Sequence, residues 1–233
     1  MDSLHILCAG AAKKVVMRIA GEFQREHAVL VTAHYGAVGT MRARAASAEP
    51  VDIIILTAGL IDELIEQRLI VAGSRADLGG VGTGIAVRSG AALPDVSSTH
   101  ALRCSLLAAT KVICPDPAVA TAGKVLLDAL GQLGIADQIV PKLEYAASGQ
   151  AVMARIADGT GMLEMGVMQI SEIIGCTGIA LAGPLPPGQQ RLSIYSAGLA
   201  IRSALPDLAT AFIRQLTGPD AHAVLTAAGF EVG

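Results

Sequence analysis

Small residues recur wherever a predicted strand turns into a predicted helix. Cys8-Ala9-Gly10-Ala11-Ala12-Lys13 leaves one strand in this way, and Tyr35-Gly36-Ala37-Val38-Gly39-Thr40 repeats the pattern. Later in the chain, residues 116–123 and Ala147-Ser148-Gly149-Gln150 do the same. Such junctions let a ligand approach the backbone N–H groups of a helix's first turn, where the helix dipole favours an anion. Open α/β sheets gather these junctions at the carboxyl ends of their strands, which is where they bind ligands. Any one junction is ordinary tight packing; four of them in one chain point to an anion site.

Other chemistry is thinly represented. The five histidines, His5, His27, His34, His100 and His222, have neither H-x-x-x-H nor H-x-E spacing, so no metal is expected. His34, at the end of a predicted strand, has a place suited to an acid–base group, but a structural or solvent-facing role is the expectation. Glu164 and Glu172 flank Gln169 and are read as helix caps or surface groups, leaving no assigned catalytic residue. Cys8, Cys104, Cys114 and Cys176 lie far apart with no C-x-x-C, and all four are expected to be reduced, buried and inert. Gly79-Gly80-Val81-Gly82-Thr83-Gly84 precedes a strand instead of opening a helix, so it is no dinucleotide fingerprint, and no cofactor is expected.

Composition narrows the classes further. A net charge of −3 and 3% aromatic residues argue against nucleic acid as a partner. Hydrophobic residues reach 52% with 16% charged, yet no run approaches the ~18–20 apolar residues of a spanning helix, so no membrane insertion is expected. The most apolar region, Ile173 to Pro187, is broken by glycines and by Pro184, Pro186 and Pro187. Residues 1–5 run straight into a strand with no leader-like pattern, which predicts a cytoplasmic protein as the sequence stands, or a periplasmic one if a leader was trimmed.

Strand and helix patterns alternate along the chain, the mark of a mostly parallel sheet with helices on its faces. Strands are predicted at Leu4–Ala9, Val29–Ala33, Asp52–Thr57, Ile85–Arg88, Lys111–Cys114, Gln138–Leu143, Met165–Gln169 and Leu192–Ala197. Ala11–Glu26 is a predicted amphipathic helix, with Val15, Val16, Ile19, Ala20 and Phe23 at helical spacing. Further helices are predicted at Gly39–Ser47, Leu60–Gln67, Thr99–Ala108, Ala122–Leu133, Gly149–Ala157, Ser171–Ile174, Pro206–Leu216 and Pro219–Ala228. Pro184–Gly188 reads as a linker, and two lobes follow: residues 1–79 with 184–233, and residues 80–183.

An ordered set of segments carries a family resemblance. It comprises Asp116-Pro117 with Ala122-Gly123, Leu133-Gly134-Ile135, and Gly166-Val167-Met168-Gln169-Ile170-Ser171-Glu172-Ile173. Gly183-Pro184-Leu185-Pro186, Tyr195-Ser196-Ala197-Gly198 and Ala228-Gly229-Phe230-Glu231 complete it. From Ile6 to Glu231 the chain resembles the molybdate-binding-protein-like type II periplasmic solute-binding proteins. The resemblance implies a two-lobed α/β fold with a ligand cleft between the lobes, lined by residues 10–13, 37–40, 57–59, 121–123, 148–150 and 169.

Within those segments the expected ligand-binding residues are Gly10, Ala11, Ala12, Lys13, Val38, Gly39, Thr40, Thr57, Ser148, Gly149, Gln150 and Gln169. The molybdate pattern has serines where this chain has Ala11 and Val38, and tyrosine where it has Gln169, which disfavours molybdate. The expected ligand is therefore a small anion, an oxyanion or an organic carboxylate, with a transporter as partner only if the native protein is exported. The resemblance also extends to relatives that isomerise aconitate, so an isomerase of a small unsaturated polycarboxylate is the alternative.

Overall fold

The computed structural model describes residues 2–47 and 49–233. The chain divides into two compact units, Met1–Val81 with Ser193–Gly233, and Gly82–Leu192. The first begins with β1 (Ser3–Ala9), and a 3-10 turn at Gly10–Ala12 leads into α1 (Lys13–His27). β2 (Leu30–Gly36), α2 (Val38–Ala45), β3 (Ile53–Thr57), α3 (Ala58–Glu66) and β4 (Ala76–Val81) follow. β1 pairs in parallel with β2 on one side and β3 on the other. Ile53, Ile54, Ile55 and Leu56 are fully buried, as a central strand covered on both faces requires. On α1 the predicted stripe of Val15, Val16, Ile19, Ala20 and Phe23 is the buried face.

The second unit carries β5 (Thr83–Arg88), α4 (Thr99–Ala108), β6 (Lys111–Pro115), α5 (Thr121–Gln132) and α6 (Ala136–Ile139). It continues through β7 (Leu143–Ala146), α7 (Gly149–Ala157), β8 (Glu164–Gln169), α8 (Ile170–Ile173) and β9 (Ile179–Pro184). Its sheet runs in the order β7-β6-β8-β5-β9. The first three strands are parallel, and β5 is antiparallel to both its neighbours. Adjacent residues serve opposite faces: Ile85, Cys114 and Val167 pack in one core, Ala86, Ile113 and Met168 in another.

The chain then completes the first sheet. β10 (Ser193–Leu199) enters between β3 and β4, antiparallel to both, giving the order β2-β1-β3-β10-β4. α9 (Pro206–Thr217) and α10 (His222–Ala227) end the chain, with Phe212 packed edge-on against Phe23. Each sheet thus has the same plan: three parallel strands, then an antiparallel strand drawn from a distant part of the sequence. Among the described residues no helix is long and apolar enough to cross a membrane.

Four sequence expectations change. Gln138–Leu143 is not a strand: Ala136–Ile139 is helical, a 3-10 turn spans Val140–Lys142, and the strand starts at Leu143. Pro141, with no N–H to give a ladder, sits inside the expected strand and falls early in that 3-10 turn instead. β4 and β9 went unpredicted because their glycines and proline read as loop. In β4, Gly79 has φ +134 and a Cβ there would lie 2.6 Å from the Glu231 carbonyl oxygen. Glycine is needed so that Gly80 and Glu231 can exchange two backbone hydrogen bonds of 2.8 Å.

Residues 184–192, expected in the first lobe, pack with the second unit. There Leu185 is buried in the core beside Val96, and Gln190 bonds to the backbone of Thr83. The cysteines divide as well: Cys8 and Cys114 are buried, but Cys176 is only half-buried and Cys104 is exposed, 3.6 Å from His100 Nε2. One helical turn separates those two on α4, which places both side chains on its outer face.

Candidate functional site

In the first unit the three parallel strands β2, β1 and β3 all end at one edge; α2 and α3 start directly from β2 and β3, and the 3-10 turn Gly10–Ala12 that leads into α1 starts from β1. The residues at these starts, Ala9, Ala37 and Thr57, share nearly one backbone conformation: φ −60, −61 and −66, with ψ 142, 146 and 147. None gives a side-chain cap to its helix. By contrast, Ser98 caps α4 by accepting a hydrogen bond from the Ala101 N–H. Helix amino ends leave N–H groups that want an acceptor and favour negative charge. The first unit presents this feature three times on adjacent strands.

Gly10, Val38, Gly39 and Thr57 are partly exposed at these ends and Thr40 is exposed, while Ala11 and Ala12 are buried in the core. Contacts from residues 11 and 12 can therefore come only from their backbone. Lys13 Nζ lies 5.5 Å from the centroid of the Tyr35 ring, a cation–π contact that holds the charge at the end of a groove between α1 and β2. Tyr35 stands opposite Cys8 in the β1/β2 register. Burial, and then Cys8, push its phenol well above the ordinary value, so it remains a neutral donor at physiological pH. His34, on the same edge strand, is exposed.

The second unit supplies its own junctions. α5 begins after Ala120 with no side-chain cap, and Asp116 accepts a hydrogen bond from the Ala118 N–H at 2.9 Å. Gly123 fits because any side chain there would run into the Pro115 carbonyl oxygen. Burial, and then Asp116, raise the Cys114 thiol to about 12, which keeps it protonated. At α7, Ser148 accepts from the Ala151 N–H at 3.2 Å. A side chain at Gly149 would collide with the Glu172 carboxylate and the Met168 methyl group. The amino end of α7 thus already has a hydroxyl and a carboxylate against it.

Gln169 closes β8 and precedes α8; it is 2% exposed, and neither atom of its amide has a partner. Thr83, directly across the β5/β8 ladder, is fully buried with its hydroxyl likewise unpaired. The packing thus brings Gly10–Lys13, residues 38–40 and Thr57 to one edge of the first sheet. In the second it brings Ser148–Gln150 and Gln169 to strand ends that alternate with α7 and α8.

Sequence reasoning missed Thr83, which stood in the glycine run, and set Glu172 aside as a cap or surface group. Thr83 sits two residues before the core residue Ile85 in a period-two strand. A polar residue on the apolar face was the available signal, once the strand's start was known.

The chain is 29% identical to an aconitate isomerase from Pseudomonas sp over 188 residues, 81% of this chain and 70% of that protein. Its fold matches the periplasmic molybdate-binding protein of Azotobacter vinelandii with a TM-score of 0.84 at 19% identity, covering 99% of both chains. The sulfate-binding protein SubI of Mycobacterium tuberculosis matches at 0.76 and 18% identity, over 99% of this chain and 86% of SubI. A substrate-binding protein of an ABC transporter from Agrobacterium tumefaciens matches at 0.72 and 11% identity, over 97% and 77%. The two-unit α/β architecture is thus that of periplasmic binding proteins. The sequence profile of the bacterial extracellular solute-binding proteins fits residues 4–231, nearly the whole chain, and the chain belongs to that family.

Proposed function

We propose that this chain binds a small organic carboxylate, with the 3-10 turn Gly10–Ala12 that leads into α1 and the amino ends of α2 and α3 as its principal donors. The observation that carries the reading is the set of three strand-to-helix junctions with matching backbone and no side-chain cap. Backbone N–H groups at a helix start serve a carboxylate as well as an oxyanion. Ala11 and Val38 bring no hydroxyl donors, so molybdate and tungstate are expected to bind more weakly than millimolar. In a thermal-shift panel, a carboxylate at 100 times its dissociation constant should stabilise the native state by about 2.7 kcal/mol. Micromolar molybdate binding by calorimetry would overturn the preference.

Lys13 opens α1 directly after the first junction, with its charge over the Tyr35 ring. Lys13→Met is expected to weaken binding of the panel's best carboxylate at least tenfold, about 1.4 kcal/mol. Lys14→Met, about 100° round the helix, should leave affinity within twofold. Equal small effects from both would mean that backbone donors alone hold the anion. If the native protein is exported, the same chemistry supplies an importer from the periplasm; cell fractionation decides between that and a cytoplasmic place.

A second reading has its own support, the aconitate isomerase relative and the Glu172 carboxylate packed against Gly149. In it, a base takes a proton from the methylene of a small unsaturated tricarboxylate, the double bond shifts, and the proton returns at the far carbon. The helix amino ends would stabilise the charge that develops on the carboxylate. Incubating trans-aconitate with the protein in D2O and following it by NMR tests this. Turnover with deuterium incorporation, lost in Glu172→Gln, is the expected result for an isomerase; binding without exchange removes it.

A further inference from the structure

We infer that His100 and Cys104, on the outer face of α4, form a two-ligand site for a thiophilic cation of the zinc and cadmium class. The site lies within one helix and stands independently of the carboxylate reading.

The pair follows from helix geometry. Residues four apart lie one above the other on a helix face, and Cys104 Sγ is 3.6 Å from His100 Nε2. Both residues are exposed, and Cys104 is the one exposed thiol of the four. Leu102 and Leu106, each two positions further on and about 200° round the helix, are fully buried and fix which face is outward. The neighbours of the pair are tied down as well. Thr99 Oγ1 donates to Gln189 Oε1 at 2.9 Å, Ser105 Oγ donates to the Asp95 carbonyl at 2.7 Å, and Ser98 caps the first turn. A metal therefore meets two ligand atoms on a fixed frame.

The distance and the atom types say which metal. Zinc holds a thiolate at ~2.3 Å and an imidazole nitrogen at ~2.0–2.1 Å, and tetrahedral angles then set the two atoms about 3.5–3.6 Å apart. Sγ and Nε2 already stand at that separation, so a cation can bridge them without moving the helix. A thiolate with an imidazole suits zinc and the softer cadmium, and does not suit magnesium or calcium, which take oxygen ligands. On binding, the thiol proton leaves to solvent, the sulfur and the Nε2 lone pair bond to the metal, and the ring keeps its proton on Nδ1. Among the described residues no third His, Cys, Asp or Glu joins the group, so the other two positions of the tetrahedron fall to water. Spacing among the histidines alone could not show this site, because its second ligand is a cysteine.

Titration of the reduced, untagged protein with Cd2+, followed by thiolate-to-cadmium ultraviolet absorption, tests the pair. One equivalent should bind. The absorption should vanish in Cys104→Ala and survive in Cys176→Ala, which removes the half-buried thiol. His100→Ala should weaken Cd2+ binding at least tenfold. His100 and Cys104 are both exposed, so neither variant opens a cavity in the core. No absorption at millimolar Cd2+, or absorption that follows Cys176 instead of Cys104, would overturn the site. A loss smaller than tenfold in His100→Ala would overturn it too, because the thiol would then bind the metal alone.

Discussion

Ala37→Asp is expected to lower affinity for small carboxylates a hundredfold or more while leaving the protein at least as stable as before. Ala37 precedes α2 in extended conformation, φ −61 and ψ 146, with no side chain serving the first turn. Aspartate is among the preferred residues at such a position, worth about 0.5–2 kcal/mol over alanine. The first turn of α2 holds no acidic residue, and its last turn holds Arg42 and Arg44, so an added negative charge at the start completes the match to the dipole. The new carboxylate would take the donors that the ligand needs and repel it. A hundredfold loss corresponds to about 2.7 kcal/mol.

Stability and affinity then move in opposite directions, which separates this result from simple misfolding. Ala37→Asn, with the same reach and no charge, should cost less affinity. Calorimetry and thermal melting of the three proteins read both quantities. Affinity within threefold of wild type in Ala37→Asp would remove α2 from the site.

What could be read from the sequence was what local chemistry decides. The stripe from Val15 to Phe23 and the run Ile53 to Leu56 announce a buried helix face and a central strand, because their spacing leaves no other burial. The small residues at positions 9–12 and 36–39 mark strand-to-helix turns for the same local reason. An ordered series of weak motifs from Ile6 to Glu231 pointed to the solute-binding family, which the sequence profile covers from residue 4 to 231. Non-local facts stayed hidden. Residues 138–143 have apolar content suited to a strand, but Pro141 turns the chain and the ladder with β6 begins at Leu143.

The glycine at 79 is explained only by Glu231, at the other end of the chain. The family pattern singled out position 169 as a candidate ligand contact. Its pairing with Thr83 was not legible, because register across a sheet is set by the packing of the whole unit. The nearness of Glu172 to Gly149 has the same origin: α8 and α7 meet in space, not in sequence.

Asp52→Ala is expected to cost the fold about 3–5 kcal/mol, since it removes a buried carboxylate from four donors. Asp52 is 2% exposed at the entrance to β3. One of its oxygens, Oδ2, accepts from the His5 N–H at 2.7 Å. The other, Oδ1, accepts from the Ser203 hydroxyl at 2.6 Å and from the N–H groups of Ala204 and Leu205 at 2.9 and 3.3 Å. Leu205 precedes α9, so the carboxylate ties β1 and β3 to the start of a helix more than a hundred residues away in sequence. Alanine leaves the half-buried His5 N–H and Ser203 hydroxyl without this acceptor, while the Leu205 N–H keeps only Ser203 Oγ, at 3.2 Å.

For a chain of this length each kcal/mol lowers the melting temperature by roughly 2–4 °C, so a drop of about 6–20 °C is expected. Asp52→Asn keeps the shape but turns an NH2 towards donors, and should cost roughly half as much. Asp52 lies at the amino end of β3, whereas Thr57 and its junction lie at the carboxyl end. Carboxylate affinity of the folded variant should therefore stay within threefold of wild type. The variant is the mirror of Ala37→Asp, with stability lost and binding kept. A melting temperature within 2 °C of wild type would show that water or a shifted loop takes over the four donors, and that the link from β1 to α9 is not what holds the first unit together.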